Sequence, residues 1–184
     1  MKRAIFFDRD GTLILEKNYL HRAEDVAFFP GALEGLKRLS EAGFPLIMVT
    51  NQSGVGRGYF TLNDVENVHA FIADKMRAEG FEMAKVYIAP EAPDQPSRGR
   101  KPSPAFLFDA RNELDVNLGE SYMIGDKLID LQSGWNAGIK KSILVRTGYG
   151  AGFEKAEPQA LKNAVIVDDL ASAADFILRD IAPT

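Results

Sequence analysis

Arg3-Ala4-Ile5-Phe6-Phe7-Asp8-Arg9-Asp10-Gly11-Thr12 decides the fold: an apolar run that stops abruptly in two carboxylates, a glycine and a hydroxyl. A run this short reads as a buried β-strand. Its C-terminal end then delivers Asp8 and Asp10 to the edge of a sheet, where open α/β sheets bind their ligands. Alternate residues of an extended chain point the same way, so both carboxylates face one site if strand geometry persists to Asp10. Gly11 lets the chain turn away. Two anions about 4 Å apart repel by roughly 4 kcal/mol at an effective dielectric near 20, and a divalent cation would remove that penalty. Taken alone, Asp-x-Asp-Gly-Thr is as compatible with a turn or helix cap, so the deciding context lies further along.

Working outward, Leu13 to Phe29 mixes apolar and polar stretches and is expected to form a flap or loose hairpin. Pro30-Gly31 opens an amphipathic helix carrying Leu33, Leu36 and Leu39, stopped at Gly43. A second strand, Pro45 to Val49, ends in Thr50-Asn51-Gln52-Ser53-Gly54. Gly54, Gly56 and Gly58 then read as a tightly turning loop, with Thr61 capping a helix from about Leu62 to Glu79. Lys85 to Ala89 is a third strand and Pro90 to Arg100 an irregular loop with three prolines. A helix from about Ala105 to Leu114, a strand Tyr122 to Ile124 and a helix Leu128 to Ala137 follow. The chain continues with a strand Ser142 to Val145, a glycine-rich loop Gly148 to Gly152, a strand Val165 to Val167 and a helix from about Ser172. Strands alternating with helices imply right-handed crossovers and a doubly wound parallel sheet with helices on both faces. No repeat or linker interrupts residues 1–184, which are expected to form a single domain.

Composition narrows the partners. With 184 residues, 46% of them hydrophobic and 26% charged, the chain can sustain a real core. A net charge of -4 argues against nucleic acid as the main partner. There are no cysteines, which excludes disulfides and thiolate metal sites. No apolar run reaches the roughly 20 residues of a membrane span, and no signal-type segment opens the chain. A cytoplasmic protein, monomeric by default, acting on a small molecule and on neither membrane nor nucleic acid, is expected.

In a parallel sheet the residues after each strand converge in space. Here they are Asp8 and Asp10, Thr50-Asn51, then Arg100-Lys101 after the long loop, and Asp126. Each has an ordinary alternative: Thr50 as a strand-end turn residue, Lys101 as a solvated cation, Asp126 as a helix cap. Asp130, four residues on, either orients Lys127 or a metal-bound water or is a surface helix charge. Their joint occurrence in this order is what the ordinary alternatives, taken one at a time, leave unexplained.

Those residues resemble the four motifs of the haloacid dehalogenase (HAD) superfamily of aspartyl-phosphate phosphatases. Asp8-Arg9-Asp10-Gly11-Thr12 matches the first motif, Thr50 the second, Lys101 the third and Gly125-Asp126 the fourth. The resemblance implies a HAD-like fold. It implies Asp8 as nucleophile, Asp10 as acid and base, Thr50 and Lys101 as phosphoryl-binding residues, and Mg²⁺ held by Asp8, the backbone carbonyl of Asp10 and Asp126. Oxygen ligands suit that hard cation. No large cap domain fits between Asp10 and Thr50, so the site should be open and shaped by loops.

Val49 to Gly58, Arg100 to Pro104, Tyr122 to Lys127 and Val145 to Gly148 narrow the resemblance to the heptose-bisphosphate and histidinol-phosphate phosphatases. It implies a phosphorylated sugar as substrate, contacted by Glu16, Lys17, Asn18, Tyr19, Asn51, Gln52, Ser53, Arg100 and Lys127. Histidinol phosphate or another sugar phosphate is the alternative. Relatives carry four zinc ligands before Arg-Lys-Pro, whereas the matching positions here are Ala89, Glu91, Ser97 and Gly99. No zinc is therefore expected, and Pro90, Pro93 and Pro96 are expected to stiffen the loop. A receiver module of a signalling system, which also phosphorylates an Asp, is the rival from another class. The second carboxylate two residues beyond the nucleophile favours turnover. His21 and His69 are expected to be surface or helix residues.

Overall fold

Six parallel strands arise from the six apolar runs. They are β1 (Ile5–Phe7), β2 (Leu46–Asn51), β3 (Lys85–Ala89), β4 (Tyr122–Gly125), β5 (Lys141–Val145) and β6 (Val165–Val167). They pair in the order β3-β2-β1-β4-β5-β6. The structure, a computed structural model, describes residues 1–182; residues 183 and 184 of the single-domain span lie outside the described residues. Phe6 of β1 lies level with Ile47 of β2 and Met123 of β4, so β1 is the central strand. Strand order reverses there, and a reversal of this kind opens a crevice at the carboxyl ends.

Seven helices are described: α1 (Ala32–Glu41), α2 (Ser53–Gly56), α3 (Leu62–Ala78), α4 (Ala105–Leu114), α5 (Leu128–Ala137), α6 (Gly150–Ala156) and α7 (Leu170–Asp180). On one face Leu36 and Leu39 of α1, Val68, Ile72 and Met76 of α3, and Leu170 and Ile177 of α7 pack on Ile5, Phe7, Met48 and Ile124. On the other, Leu107 and Ala110 of α4 pack on Phe6, Ile47, Val49 and Met123. Successive β1 residues thus serve opposite layers, the period-two alternation of a strand covered on both sides. Thr61 accepts from the Asp64 amide while Asp64 accepts from the Thr61 amide, a reciprocal cap that starts α3 where the sequence places it.

The flap is a loose hairpin. Ile14 bridges Phe28, and the Leu15 amide donates to the Ala27 carbonyl at 2.8 Å. Two expected loops are corrected. Ser53 to Gly56 closes into one helical turn, and the run expected to be a glycine-rich loop enters α6 at Gly150. Gly54 and Gly150 are required by close packing rather than flexibility. A Cβ at Gly54 would lie 2.2 Å from the Phe60 ring, and one at Gly150 would lie 1.8 Å from the Val145 carbonyl oxygen. The last helix begins at Leu170, with Asp169 accepting from the Ser172 amide at 2.7 Å as its cap.

Candidate active site

Asp8 follows the last residue of β1 and Asp126 the last residue of β4, on either side of the strand-order reversal. The Asp8 amide donates to the Ile124 carbonyl at 3.0 Å and so holds the two turns together. Lys101, at the end of the long loop, reaches under both. Its Nζ donates to Asp8 Oδ1 at 2.7 Å and to the Val49 carbonyl at 2.7 Å, and pairs with Asp130 Oδ1 at 2.6 Å. Asn51 anchors the loop, its Oδ1 accepting from the Lys101 amide at 3.0 Å and its Nδ2 donating to the Lys101 carbonyl at 3.2 Å.

Asp130 is the residue whose weight the sequence reading left open. It is wholly buried, Oδ2 accepting from the Lys127 amide at 3.0 Å to cap α5. It packs so closely that a Cβ on Gly125 would stand 2.2 Å from its own. Burial raises the Asp130 carboxyl's pKa against the pull of Lys101. Burial equally weighs against charge on Lys101, but Asp130 and Asp8 outweigh it and hold the ammonium above its ordinary value.

Asp126 lies between Gly11 and Gly148; a Cβ on either would come within 2.2 Å of its Oδ2. Oδ2 accepts from the Tyr149 amide at 2.9 Å, whereas Oδ1 is buried without a partner. Burial, then the Asp8 and Asp130 carboxylates, push the Asp126 carboxyl up to about 8. Carboxylate oxygens of Asp8, Asp126 and Asp130 lie within 4.8 Å of one another. An orphaned anionic oxygen among converging carboxylates is the donor set of a hard divalent cation, so the residues present fit Mg²⁺. Asp130 has both oxygens engaged, Oδ1 by Lys101 and Oδ2 by the Lys127 amide, whereas Asp8 meets Lys101 through Oδ1 alone, so Asp8 and Asp126 are the side chains best placed to hold it.

Asp8, Asp10, Glu16, Asn18, Tyr19, Asn51, Gln52, Ser53, Lys101 and Lys127 all line one cleft of about 260 Å³, joined by Asp130 and Tyr149. Thr50 and Asp126 lie just beneath its floor, 1% and 0% exposed. Lys127 sits over the Tyr149 ring at 4.8 Å and 3.6 Å from Glu16, a cation held at the mouth. Burial, then Asp10, raises the Glu16 carboxyl. Two expected contacts lie off the cleft lining. Lys17 turns back to the Asp25 carbonyl at 2.5 Å, and Arg100 donates to the Glu91 carbonyl at 3.1 Å.

Two of the four positions expected to lack zinc ligands, Glu91 and Ser97, join in a hydrogen-bonded clip. Ser97 Oγ donates to Glu91 Oε2 at 2.7 Å and accepts from the Arg100 amide at 3.1 Å. Three further residues were not assigned from sequence. Arg9, 1% exposed, and the buried His69 of α3 stand behind Asp10, and Tyr149 closes one wall. A charged side chain between the two aspartates was the available signal for Arg9; His69 and Tyr149 sit on helices or turns whose sequence carries none.

Family models match two stretches: one described as polynucleotide kinase 3 phosphatase over residues 3–131, and one described as HAD-hydrolase-like over residues 99–173. The D-glycero-beta-D-manno-heptose-1,7-bisphosphate 7-phosphatase of Yersinia pestis is 37% identical over 97% of this chain and 91% of its own. That of Escherichia coli K12 is 33% identical over 97% and 90%. Among solved structures, the D,D-heptose 1,7-bisphosphate phosphatase of B. bronchiseptica, complexed with magnesium and phosphate, superposes with a TM-score of 0.88. It is 30% identical and covers 98% of this chain and 99% of its own. The Burkholderia thailandensis enzyme gives 0.74 at 25% identity, over 96% and 99%. With 33–37% identity to the Yersinia pestis and Escherichia coli relatives over nearly the whole of both chains, and a superposition at a TM-score of 0.88, the chain belongs to the D-glycero-beta-D-manno-heptose-1,7-bisphosphate 7-phosphatase family of HAD phosphatases.

Proposed function

We propose that this phosphatase removes the 7-phosphate of D-glycero-D-manno-heptose 1,7-bisphosphate, with Asp8 as nucleophile and Asp10 as general acid and base. The observation that carries the reading is the convergence of Asp8, Asp10, Asp126 and Lys101 at the reversal of strand order, in or directly beneath one cleft. An Asp8 oxygen attacks phosphorus in line. The bond from phosphorus to the C7 oxygen breaks, and Asp10 gives its proton to the departing alkoxide, leaving an aspartyl phosphate. Water then attacks that phosphorus, Asp10 takes its proton, and inorganic phosphate leaves with Asp8 regenerated. Lys101 and Thr50 hold phosphoryl oxygens, while Lys127 and the Glu16 to Tyr19 and Asn51 to Ser53 segments shape the space for the sugar and its second phosphate. When bound by Asp8, Asp126 and the Asp10 carbonyl, Mg²⁺ would neutralise the carboxylates and polarise a phosphoryl oxygen.

On this reading the loop of residues 90–99 keeps its shape through the Ser97–Glu91–Arg100 clip and needs no zinc. The substrate is a small phosphorylated sugar and the enzyme a cytoplasmic monomer without membrane or nucleic-acid partners. The test is kcat/KM for the heptose bisphosphate against histidinol phosphate with Mg²⁺. A preference of about a hundredfold, some 2.7 kcal/mol of transition-state discrimination, is expected. Equal turnover of both would remove the heptose assignment.

Asp126 has its folded pKa raised from 3.8 to about 8, so in the metal-free protein its contribution to stability is full below the unfolded value and lost as pH rises through about 8. Metal-free protein should therefore melt lower as pH rises from about 5 to about 8.5, and the gain in Tm on adding Mg²⁺ should grow over the same interval. A Mg²⁺ shift equal at both ends would count against Asp126 as ligand.

A further inference from the structure

We propose that Arg9 is the positioning residue that frames Asp10 for proton transfer, together with Gln52, and that Oδ1 is the Asp10 oxygen that carries the proton. The inference rests on the reading of Asp10 as general acid. Arg9 is 1% exposed, an expensive place for a guanidinium, and its donors meet acceptors from several segments. Nε donates to Asp10 Oδ2 at 2.9 Å. Nη2 reaches Asp10 Oδ1 at 3.1 Å, Gln52 Oε1 at 3.0 Å and the Leu20 carbonyl at 3.2 Å. Nη1 faces His69 Nε2 at 3.4 Å. Burial, then Arg9, lowers His69 to about 3, so its ring is neutral and that nitrogen can accept.

A guanidinium can only donate, so it fixes the orientation of the Gln52 amide. The carbonyl must face Arg9, which turns the amide nitrogen to Asp10 Oδ2 at 2.9 Å and Thr50 Oγ1 at 2.7 Å. Asp10 Oδ2 then receives two donors, Arg9 Nε and Gln52 Nε2, which occupy both its lone pairs. Oδ1 receives one and keeps the other lone pair open, on a side chain still 14% exposed at the cleft. A proton on the carboxyl has one place to sit without displacing a donor. The frame joins the turn after β1, the flap through Leu20, the turn after β2 through Gln52, and α3 through His69. It thereby fixes the direction in which Asp10 presents its proton.

A group that positions an acid matters in proportion to the leaving group's need for a proton, which a purely structural group does not. The experiment compares kcat/KM for glycerol phosphate, whose alkoxide must be protonated, with p-nitrophenyl phosphate, whose phenolate leaves without help. The ratio of the two cancels uniform losses of fold, binding or metal. Asp10→Asn and Arg9→Lys are each expected to lower the alkyl-to-aryl ratio by about 10²-fold, and Gln52→Met by about tenfold, since general acid catalysis contributes about 10²–10⁴-fold. An unchanged ratio in Arg9→Lys beside a lowered one in Asp10→Asn overturns the proposal and leaves the reading of Asp10 intact. An unchanged ratio in Asp10→Asn overturns both. Should Arg9→Lys fail to fold, Gln52→Met decides: a lowered ratio sustains the frame and an unchanged one overturns it.

Discussion

Asp8→Asn is expected to cut phosphate release by about 10⁴-fold or more while the protein stays folded. An amide oxygen is a poor nucleophile and cannot form the acyl phosphate, so neither hydrolytic step proceeds. The structure separates this loss from a folding defect. Lys101 keeps Asp130 and the Val49 carbonyl as partners when Asp8 loses its charge. Asp8 is also the second contribution, after burial, to the raised pKa of Asp126, so its neutralisation relieves repulsion. Without Mg²⁺ the variant should melt no lower than the parent. Phosphate release within tenfold of the parent would remove Asp8 as nucleophile; mass-detected phosphate on residue 8 of the parent, absent in the variant, would support it.

Lys101→Met should be the most destabilising single change in the site. Its Nζ lies between Asp8 and Asp130, both buried, and removing one member of a buried ion pair costs about 3–5 kcal/mol because the other charge stays behind unpaired. For a chain of this length that lowers Tm by about 6–20 °C. The pH dependence identifies the cause. Without Lys101 the raised carboxyl of Asp130 loses its main opposing pull, so the variant's stability should be nearest the parent's at low pH and fall as pH rises through the elevated pKa. Lys101→Met/Asp130→Asn should recover most of the lost stability, since Asn can still accept from the Lys127 amide, without recovering turnover. A single variant as stable as the parent at neutral pH would mean that the pair contributes nothing.

Much of this architecture is legible in the sequence because its cause is local. The apolar run Ile5 to Phe7, the Thr61-Asp64 cap and the glycines after α1 and α3 act within a few residues of themselves. The carboxylates, Thr50 and Lys101 are equally legible, because strand ends in a parallel sheet converge whatever their spacing. What escapes is what depends on distant neighbours. Gly150 reads as loop because its type favours freedom, yet it begins a helix because the Val145 carbonyl leaves no room for a side chain. Asp130 stays open between an orienting residue and a surface helix charge until Lys101, 29 residues earlier in sequence, is found paired with it. Lys17 and Arg100 stand beside motif residues, but their side chains follow backbone carbonyls away from the cleft.

The position of β1 has a consequence for synthesis. It lies at the centre of the sheet but near the start of the chain, flanked on one side by β2 and on the other by β4, whose first residue is Tyr122. While the polypeptide leaves the ribosome, β1 can pair with β2, which β3 then joins on its far side, but the other edge of β1 stays bare until β4 emerges, an interval of roughly 10 s at about 5–20 residues per second. During that time Ile5 to Phe7 offer an apolar strand edge to any other nascent chain, and Asp8 at its end lacks Asp126 and Asp130, which follow β4 and complete its carboxylate cluster. A charge flanking an apolar strand disfavours edge-to-edge pairing, so Asp8 opposes aggregation of the nascent chain until the fourth strand closes the sheet.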